Sequence, residues 1–231
     1  MPLKSTSAFG RWQKAAWPVV RLFVPRETRW FAEGHPKIDG QLWVADRKLL
    51  YDTVRARAPK TCFEIGTWKG GGSTLFIAQA LFDNGSGRLH TIELDNSIAA
   101  EARRAYETHL PHLLPYVVFH TGDYREQYRR YLAPDEAAPS RQGRAEAESG
   151  ELDARRAHFV FLDGPEDARE TLAQYEFFAA HLQAGSALVV HDWLTDKARL
   201  VRDLLEHSRD WRIEQVLLPP RSVGCALAIR V

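Results

Sequence analysis

The stretch from Cys62 to Leu81, CFEIGTWKGGGSTLFIAQAL, runs from apolar residues through an acid into a crowd of glycines, then into an apolar-periodic segment. A loop of this kind can cradle a phosphate, support a nucleoside, or simply turn a strand into a helix. A phosphate-binding P-loop reads G-x-x-x-x-G-K-[ST], but here Gly66 and Gly71 lead to Gly72 and Ser73, with no lysine before the hydroxyl. A dinucleotide fingerprint, G-x-G-x-x-G, needs glycine where Trp68 stands. The spacing that remains is E-x-G-x-x-x-G. Glu64 ends the apolar run, Gly66 makes the sharp turn, and Gly70 stands where the backbone must approach a ligand closely. Further acids follow the same plan: Glu93 in LHTIELD, Asp123 in HTGDYRE, Asp163 in FLDGPED and the pair His191-Asp192 in VVHDW. A carboxylate offers acceptor oxygens to two donors at once, and an imidazole exchanges a proton near neutrality.

These residues need elements to position them. Strand-like runs at 61–65, 88–93, 116–120, 157–162 and 187–191 alternate with helical patterns near 73–83, 97–109, 123–132 and 166–183. Such alternation implies crossovers, a parallel sheet, and a ligand crevice lined by loops at the strands' carboxyl ends. A helix over 195–208 is followed by WRIEQVLLP and SVGCALAIRV, joined by a short proline-containing turn. This tail reads as a hairpin that adds one antiparallel strand. The fold class is therefore α/β, a Rossmann-like doubly wound sheet, mostly parallel, with helices on both faces. Ahead of it, Leu42, Trp43, Leu49, Leu50 and Val54 fall at helical spacing from Gln41, and Pro59 closes the segment.

The 231 residues, 45% hydrophobic, suffice for one substantial core. Lysine plus arginine (31) nearly balances aspartate plus glutamate (30), so no global field points to nucleic acid. Cys62 and Cys225, far apart and each in a strand-like run, suit buried thiols in a reducing compartment. No apolar run approaches the roughly 18 residues of a membrane span, and no secretory signal opens the chain, which together read as cytoplasmic.

Residues 1–40 form a basic aromatic arm with Trp12, Trp17, Phe23, Trp30 and Phe31; Pro18 and Pro25 interrupt any long helix. The arm reads either as a segment packed on the domain, on a second subunit or over the site, or as a membrane-surface contact. Residues 41–231 form the domain proper, and the charged stretch 133–156 reads as a mobile surface insertion.

On Glu64, Gly66, Gly70, Glu93 and Asp123, in order and in this alternation, the chain resembles the class I S-adenosylmethionine-dependent methyltransferases. The resemblance spans about Cys62 to Val231. It implies that the loop Glu64, Gly66, Thr67, Trp68, Gly70 and Ser73 holds the amino-acid part of S-adenosylmethionine. It also implies that Glu93 accepts both ribose hydroxyls and that Asp123 lies beside the adenine. The stretch FVFLDGPEDARETLAQYEFFAAHLQAGSALVVHDW further resembles the cation-dependent small-molecule O-methyltransferases, of catechol and natural-product sugar type. This implies a magnesium or manganese site at Asp163, His191 and Asp192, with Asp163 also facing the cofactor.

Two departures stand out. Imidazole is not a favoured magnesium ligand, so His191 points to another metal, to a general base, or to a metal-free site. The lysine that catechol-type enzymes carry after the fourth-strand aspartate is absent, since Asp163 is followed by Gly164, Pro165 and Glu166. The candidate catalytic residues are thus His191, Asp163 and Glu166, with Glu166 otherwise a helix-start charge. The expected activity is methyl transfer to a hydroxyl of a small molecule, assisted by a divalent cation, in a homodimer. The alternatives are a metal-independent O- or N-methyltransferase with His191 as base, or a non-catalytic cofactor-fold binding module. Trp68, Trp193 and the arm either wall the acceptor pocket or are plain core packing.

Overall fold

Seven strands form one sheet in the order β3-β2-β1-β4-β5-β7-β6. The structure is a computed structural model that describes residues 26–133 and 156–231. The strands are β1 (Thr61–Ile65), β2 (Arg88–Glu93), β3 (Val117–Thr121), β4 (Phe159–Leu162), β5 (Ala187–His191), β6 (Trp211–Leu217) and β7 (Cys225–Arg230). The first five are parallel, and β7 runs antiparallel to both β5 and β6. Every residue of β1, β4 and β5 is buried, which is why these runs read as continuous apolar stretches rather than alternating ones.

The helices are α1 (Arg26–Glu33), α2 (Val44–Arg57), α3 (Ser73–Asn84), α4 (Asn96–His109), α5 (Tyr124–Leu132), α6 (Ala168–Ala179) and α7 (Arg199–His207). One core layer joins Leu50 and Val54 of α2 to Ile77 and Leu81 of α3 and to Phe161 and Val189 of the sheet. The opposite layer joins Tyr128 of α5, Phe178 of α6 and Leu205 of α7 to Phe63, Val160 and Leu188. Strand order turns back between β1 and β4, so the crevice of a doubly wound sheet opens at their carboxyl ends.

Several boundaries differ from the sequence reading. The helix expected from Gln41 begins at Val44, because Gly40 lies directly against the backbone of Gly71 and Trp43 is extended. The helix expected from 166 begins at Ala168, where the Asp167 carboxylate caps it by accepting from the Glu170 amide at 2.8 Å. The last helix opens as a short 3-10 turn, Asp196–Ala198, before α7.

In the described part of the arm, Trp30 and Phe31 stack on Phe76, and Phe31 and Ile38 are buried. The Arg47 guanidinium donates to the carbonyls of Phe31 (2.9 Å), Ala32 and Gly40 (3.4 Å each), fastening this segment to α2. Residues 1–25, with Trp12, Trp17, Phe23 and the membrane-contact reading, lie outside the described residues, as does most of the insertion at 133–156. Both cysteines are buried and free. No helix among the described residues is long and apolar enough to cross a membrane.

Candidate active site

A cavity of about 940 Å³ opens at the switch point between β1 and β4. Its lining includes Gly66, Thr67, Trp68, Ser73, Glu93, Asp123, Asp163, Glu166, His191 and Asp192. Ten of the residues singled out in the sequence are thereby brought around one space, drawn from the ends of five strands.

The glycine loop builds the floor. Gly66 has φ +96°, its amide donates to the Ile92 carbonyl at 3.0 Å, and a Cβ there would fall 2.3 Å from the Asp163 carbonyl oxygen. The loops after β1 and β4 therefore meet backbone to backbone, which only glycine permits. The Trp68 amide donates to Glu93 Oε2 at 2.9 Å, and the Asp95 amide donates to Oε1 at 3.1 Å. These two bonds orient the Glu93 carboxylate at the cavity wall. At Gly70 the carbonyl accepts from the Tyr106 hydroxyl at 2.9 Å, and the Gly71 amide donates to the Asp39 carbonyl at 3.0 Å. The loop is thus clamped between α4 and the segment before α2, and Gln41, Leu42 and Trp43 add a wall.

Two expected ligand contacts are placed elsewhere. Glu64 is fully buried beneath the loop and is not part of the cavity lining. The hydroxyls of Thr74 (2.7 Å) and Thr91 (2.6 Å) donate to its Oε2, while Oε1 has no hydrogen-bond partner. Gly70 likewise shapes the loop without lining the cavity. The reason lies in the strand: β1 is covered on both faces, so Glu64 is enclosed, and the chain reaches the crevice only from Ile65 onward.

Burial pushes the Glu64 pKa up to about 7, against the pull of the Ser73, Thr91 and Thr74 hydroxyls. An acid whose pKa rises from 4.5 on folding contributes stability that is full below 4.5 and lost as pH climbs to about 7. Glu64→Gln is therefore expected to melt with the wild type at pH 4 and roughly 5 °C above it at pH 8. Equal midpoints for both proteins at pH 8 would overturn this account.

Asp123 caps α5, its Oδ1 accepting from the amides of Arg125 (2.9 Å) and Glu126 (3.3 Å), while it also lines the cavity. Glu166 is exposed at the rim. Among the described residues no hydrogen bond or ion pair joins it to Asp163, His191 or Asp192. Trp193 is 2% exposed in the core, whereas Trp68 lines the cavity at φ +45°.

The deepest feature is a charge cluster. His191 Nδ1 lies 3.2 Å from Asp163 Oδ1 and 3.5 Å from Asp192 Oδ2, and its Nε2 lies 3.3 Å from Asp46 Oδ2. Lys197 Nζ bridges Asp163 Oδ1 at 2.6 Å and Asp192 Oδ2 at 2.9 Å. Burial works against charge on His191, but hydrogen bonds to Asp163, Asp192 and Asp46 outweigh it and push its pKa up to about 11. Burial likewise opposes ionisation of Asp192, yet His191 and Lys197 hold its pKa down to about 2. These carboxylates favour the protonated ring, in which both nitrogens donate.

Sequence reading missed Asp46 and Lys197. Asp46 stands in the first turn of α2, where an acid ordinarily serves the helix dipole, and Lys197 stands in a charged turn. The only signal was functional: the cluster lacked the family's lysine, and Lys197 arrives instead from the turn after β5.

Two groups implied by the resemblance meet this geometry differently. The cavity fits a nucleoside-sized cofactor: its floor has no Cβ at Gly66, α3 starts after Gly72 without a capping side chain, and an oriented carboxylate stands at its wall. For a divalent ion, Asp163, His191 and Asp192 each offer one atom, all within 4.8 Å of one another. As arranged, however, the facing carboxylate oxygens hold the Lys197 ammonium and each ring nitrogen faces a carboxylate. The set does not fit a divalent ion without rearrangement.

No curated protein matches the chain. Among solved structures, the O-methyltransferase TomG from Streptomyces achromogenes, involved in tomaymycin synthesis and in complex with SAM, is 21% identical with a TM-score of 0.64. The match covers 96% of this chain and 98% of that one. An O-methyltransferase from Bacillus cereus in complex with SAH is 17% identical, with a TM-score of 0.64 and coverage of 96% and 99%. A methyltransferase from Geobacter sulfurreducens is 17% identical, with a TM-score of 0.57 and coverage of 94% and 96%. At these identities the likeness is one of fold. The sequence model described as "Methyltransferase domain" matches residues 63–193, more than half of the chain, from the glycine loop through the His191-Asp192 pair. The chain belongs to this methyltransferase-domain family.

Proposed function

We propose that the protein transfers the methyl group of S-adenosylmethionine to a hydroxyl of a small molecule. The observation that carries this reading is a single cavity with the oriented Glu93 carboxylate on one wall and the Asp163-Asp192 pair on another. The SAM and SAH bound to the Streptomyces and Bacillus proteins, both O-methyltransferases, support the choice of cofactor and of an oxygen acceptor.

Bound S-adenosylmethionine supplies an electrophilic methyl on a sulfonium, and the sulfur leaves as a neutral thioether when an oxygen attacks in line. The chain's part is to align the two reactants, exclude water and take up the hydroxyl proton. Glu93, its carboxylate held in place by the Trp68 and Asp95 amides, would hold one end of the cofactor by accepting from its vicinal hydroxyls. Asp163 and Asp192 line the cavity and accept a hydrogen bond from the acceptor hydroxyl. A neutral hydroxyl becomes strongly acidic as the new C–O bond forms, so even a carboxylate with a depressed pKa takes its proton at that stage. The carboxylates that would bind a divalent ion are bridged by the Lys197 ammonium.

Calorimetric titration with S-adenosylmethionine tests the cofactor, and the absence of binding at millimolar concentration sinks the reading. Glu93→Gln keeps the shape but loses the charge-assisted acceptor, and is expected to weaken cofactor binding about 10-fold or more. A screen of hydroxylated acceptors, read by formation of the demethylated cofactor, identifies the substrate class.

A further inference from the structure

Lys197 is 4% exposed and is carried by the turn Asp196–Ala198. The preceding residue locks that turn onto Asp192 itself: the Thr195 amide and hydroxyl both donate to the Asp192 carbonyl, at 2.8 and 2.9 Å. The lysine stem is thus anchored to the residue whose carboxylate its ammonium binds. Nζ sits between Asp163 Oδ1 and Asp192 Oδ2 at 2.6 and 2.9 Å. A divalent ion bridging the same oxygens would stand about 2.1 Å from each, within the space Nζ fills. Ion and ammonium exclude each other by overlap and by like charge.

We propose that the Lys197 ammonium takes the place of a divalent cation at the methyl-transfer site, so that the carboxylates are neutralised and held from within the chain and no metal is required. This rests on the cavity being the methyl-transfer site, but its test reads metal binding. The missing lysine after β4 and the imidazole among the expected ligands then have one cause. A positive charge still lies against Asp163 and Asp192, supplied by a side chain that enters from the turn after β5 and is not part of the cavity lining. The cavity side of the two carboxylates is left to the acceptor.

The full chain, treated with chelator and then titrated with manganese(II), decides the matter by calorimetry, by the bound-manganese resonance signal and by thermal melting. Wild type is expected to carry less than about 0.1 metal ion per chain and to melt within 1 °C of its metal-free midpoint in roughly 1 mM manganese. Lys197→Ala removes the ammonium and leaves two carboxylates facing a gap. It is expected to bind one manganese ion at roughly 100 µM or tighter and to regain several degrees of midpoint on doing so. Lys197→Gln, which keeps most of the stem, is the second variant should the alanine form not fold. Micromolar manganese binding by wild type, about one divalent ion per purified chain, or no gain of binding in a folded variant overturns the proposal. Cofactor titration in chelator is run alongside: its failure would undo the methyl-transfer reading while leaving the metal result to stand on its own.

Discussion

Gly66→Ala is expected to lower the melting midpoint by about 4–20 °C and to remove measurable cofactor binding. A Cβ at this position would stand 2.3 Å from the Asp163 carbonyl oxygen, a backbone atom that no rotamer change can move aside. The positive φ of +96° adds conformational strain for any residue with a side chain. Strain of about 1–2 kcal/mol and overpacking of about 1–3 kcal/mol together remove a large share of a typical stability of about 5–15 kcal/mol. At about 2–4 °C per kcal/mol for a chain of this size, the stated midpoint shift follows. Relief of the clash requires the loops after β1 and β4 to separate, which moves Asp163 away from Lys197 and His191. Gly85 is the control. It also has positive φ, at +66°, but nothing lies within 4 Å of its added Cβ, so Gly85→Ala bears the strain alone and is expected to cost about 1–2 kcal/mol. Equal losses in the two variants would mean that backbone contact between the two loops is unimportant.

The second large effect is on turnover. Asp192→Asn and Asp163→Asn keep volume and remove the proton acceptor, and each is expected to lower kcat by about 10²–10⁴-fold while cofactor affinity changes by less than about 3-fold. Asp192 is the sharper test because its backbone is held at φ +55° and its carbonyl anchors the turn that carries Lys197. The asparagine variant preserves those backbone contacts and asparagine tolerates this backbone region, so a fall in kcat reports the carboxylate rather than the fold. Single-turnover measurements with saturating cofactor separate the chemical step from binding. Full turnover in both variants, in chelator-treated protein, would remove these carboxylates from the mechanism.

How much of this was legible in the chain depends on the distance over which each feature is encoded. The alternation of strands and helices, the parallel sheet with a C-terminal hairpin, and the arrival of Glu93, Asp123, Asp163, His191 and Asp192 at one crevice follow from local patterns. A strand's end, a helix's start and a glycine turn are specified within a few residues, and a doubly wound topology brings successive strand ends to the same edge. The gathering of these residues was therefore implied before any coordinates. What each gathered residue does was not. Glu64 has the right type and spacing for a ligand contact, yet the covering of β1 on both faces encloses it under the loop.

His191 reads as a base or a metal ligand when it is seen beside Asp192 alone. Its protonated form is favoured by Asp163 and Asp192 and also by Asp46, 145 positions away, which approaches its other nitrogen. Lys197 in TDKARL looks like a solvated charge, and only the turn locked to the Asp192 carbonyl drives it inward. Protonation states and the occupant of the space between two carboxylates are sums over every charge within a few ångströms, whatever its place in the chain. The sequence alone determined the scaffold and the roster of acids at its crevice, since those are local; tertiary packing decided which charges meet there, because those contacts join residues far apart in the chain.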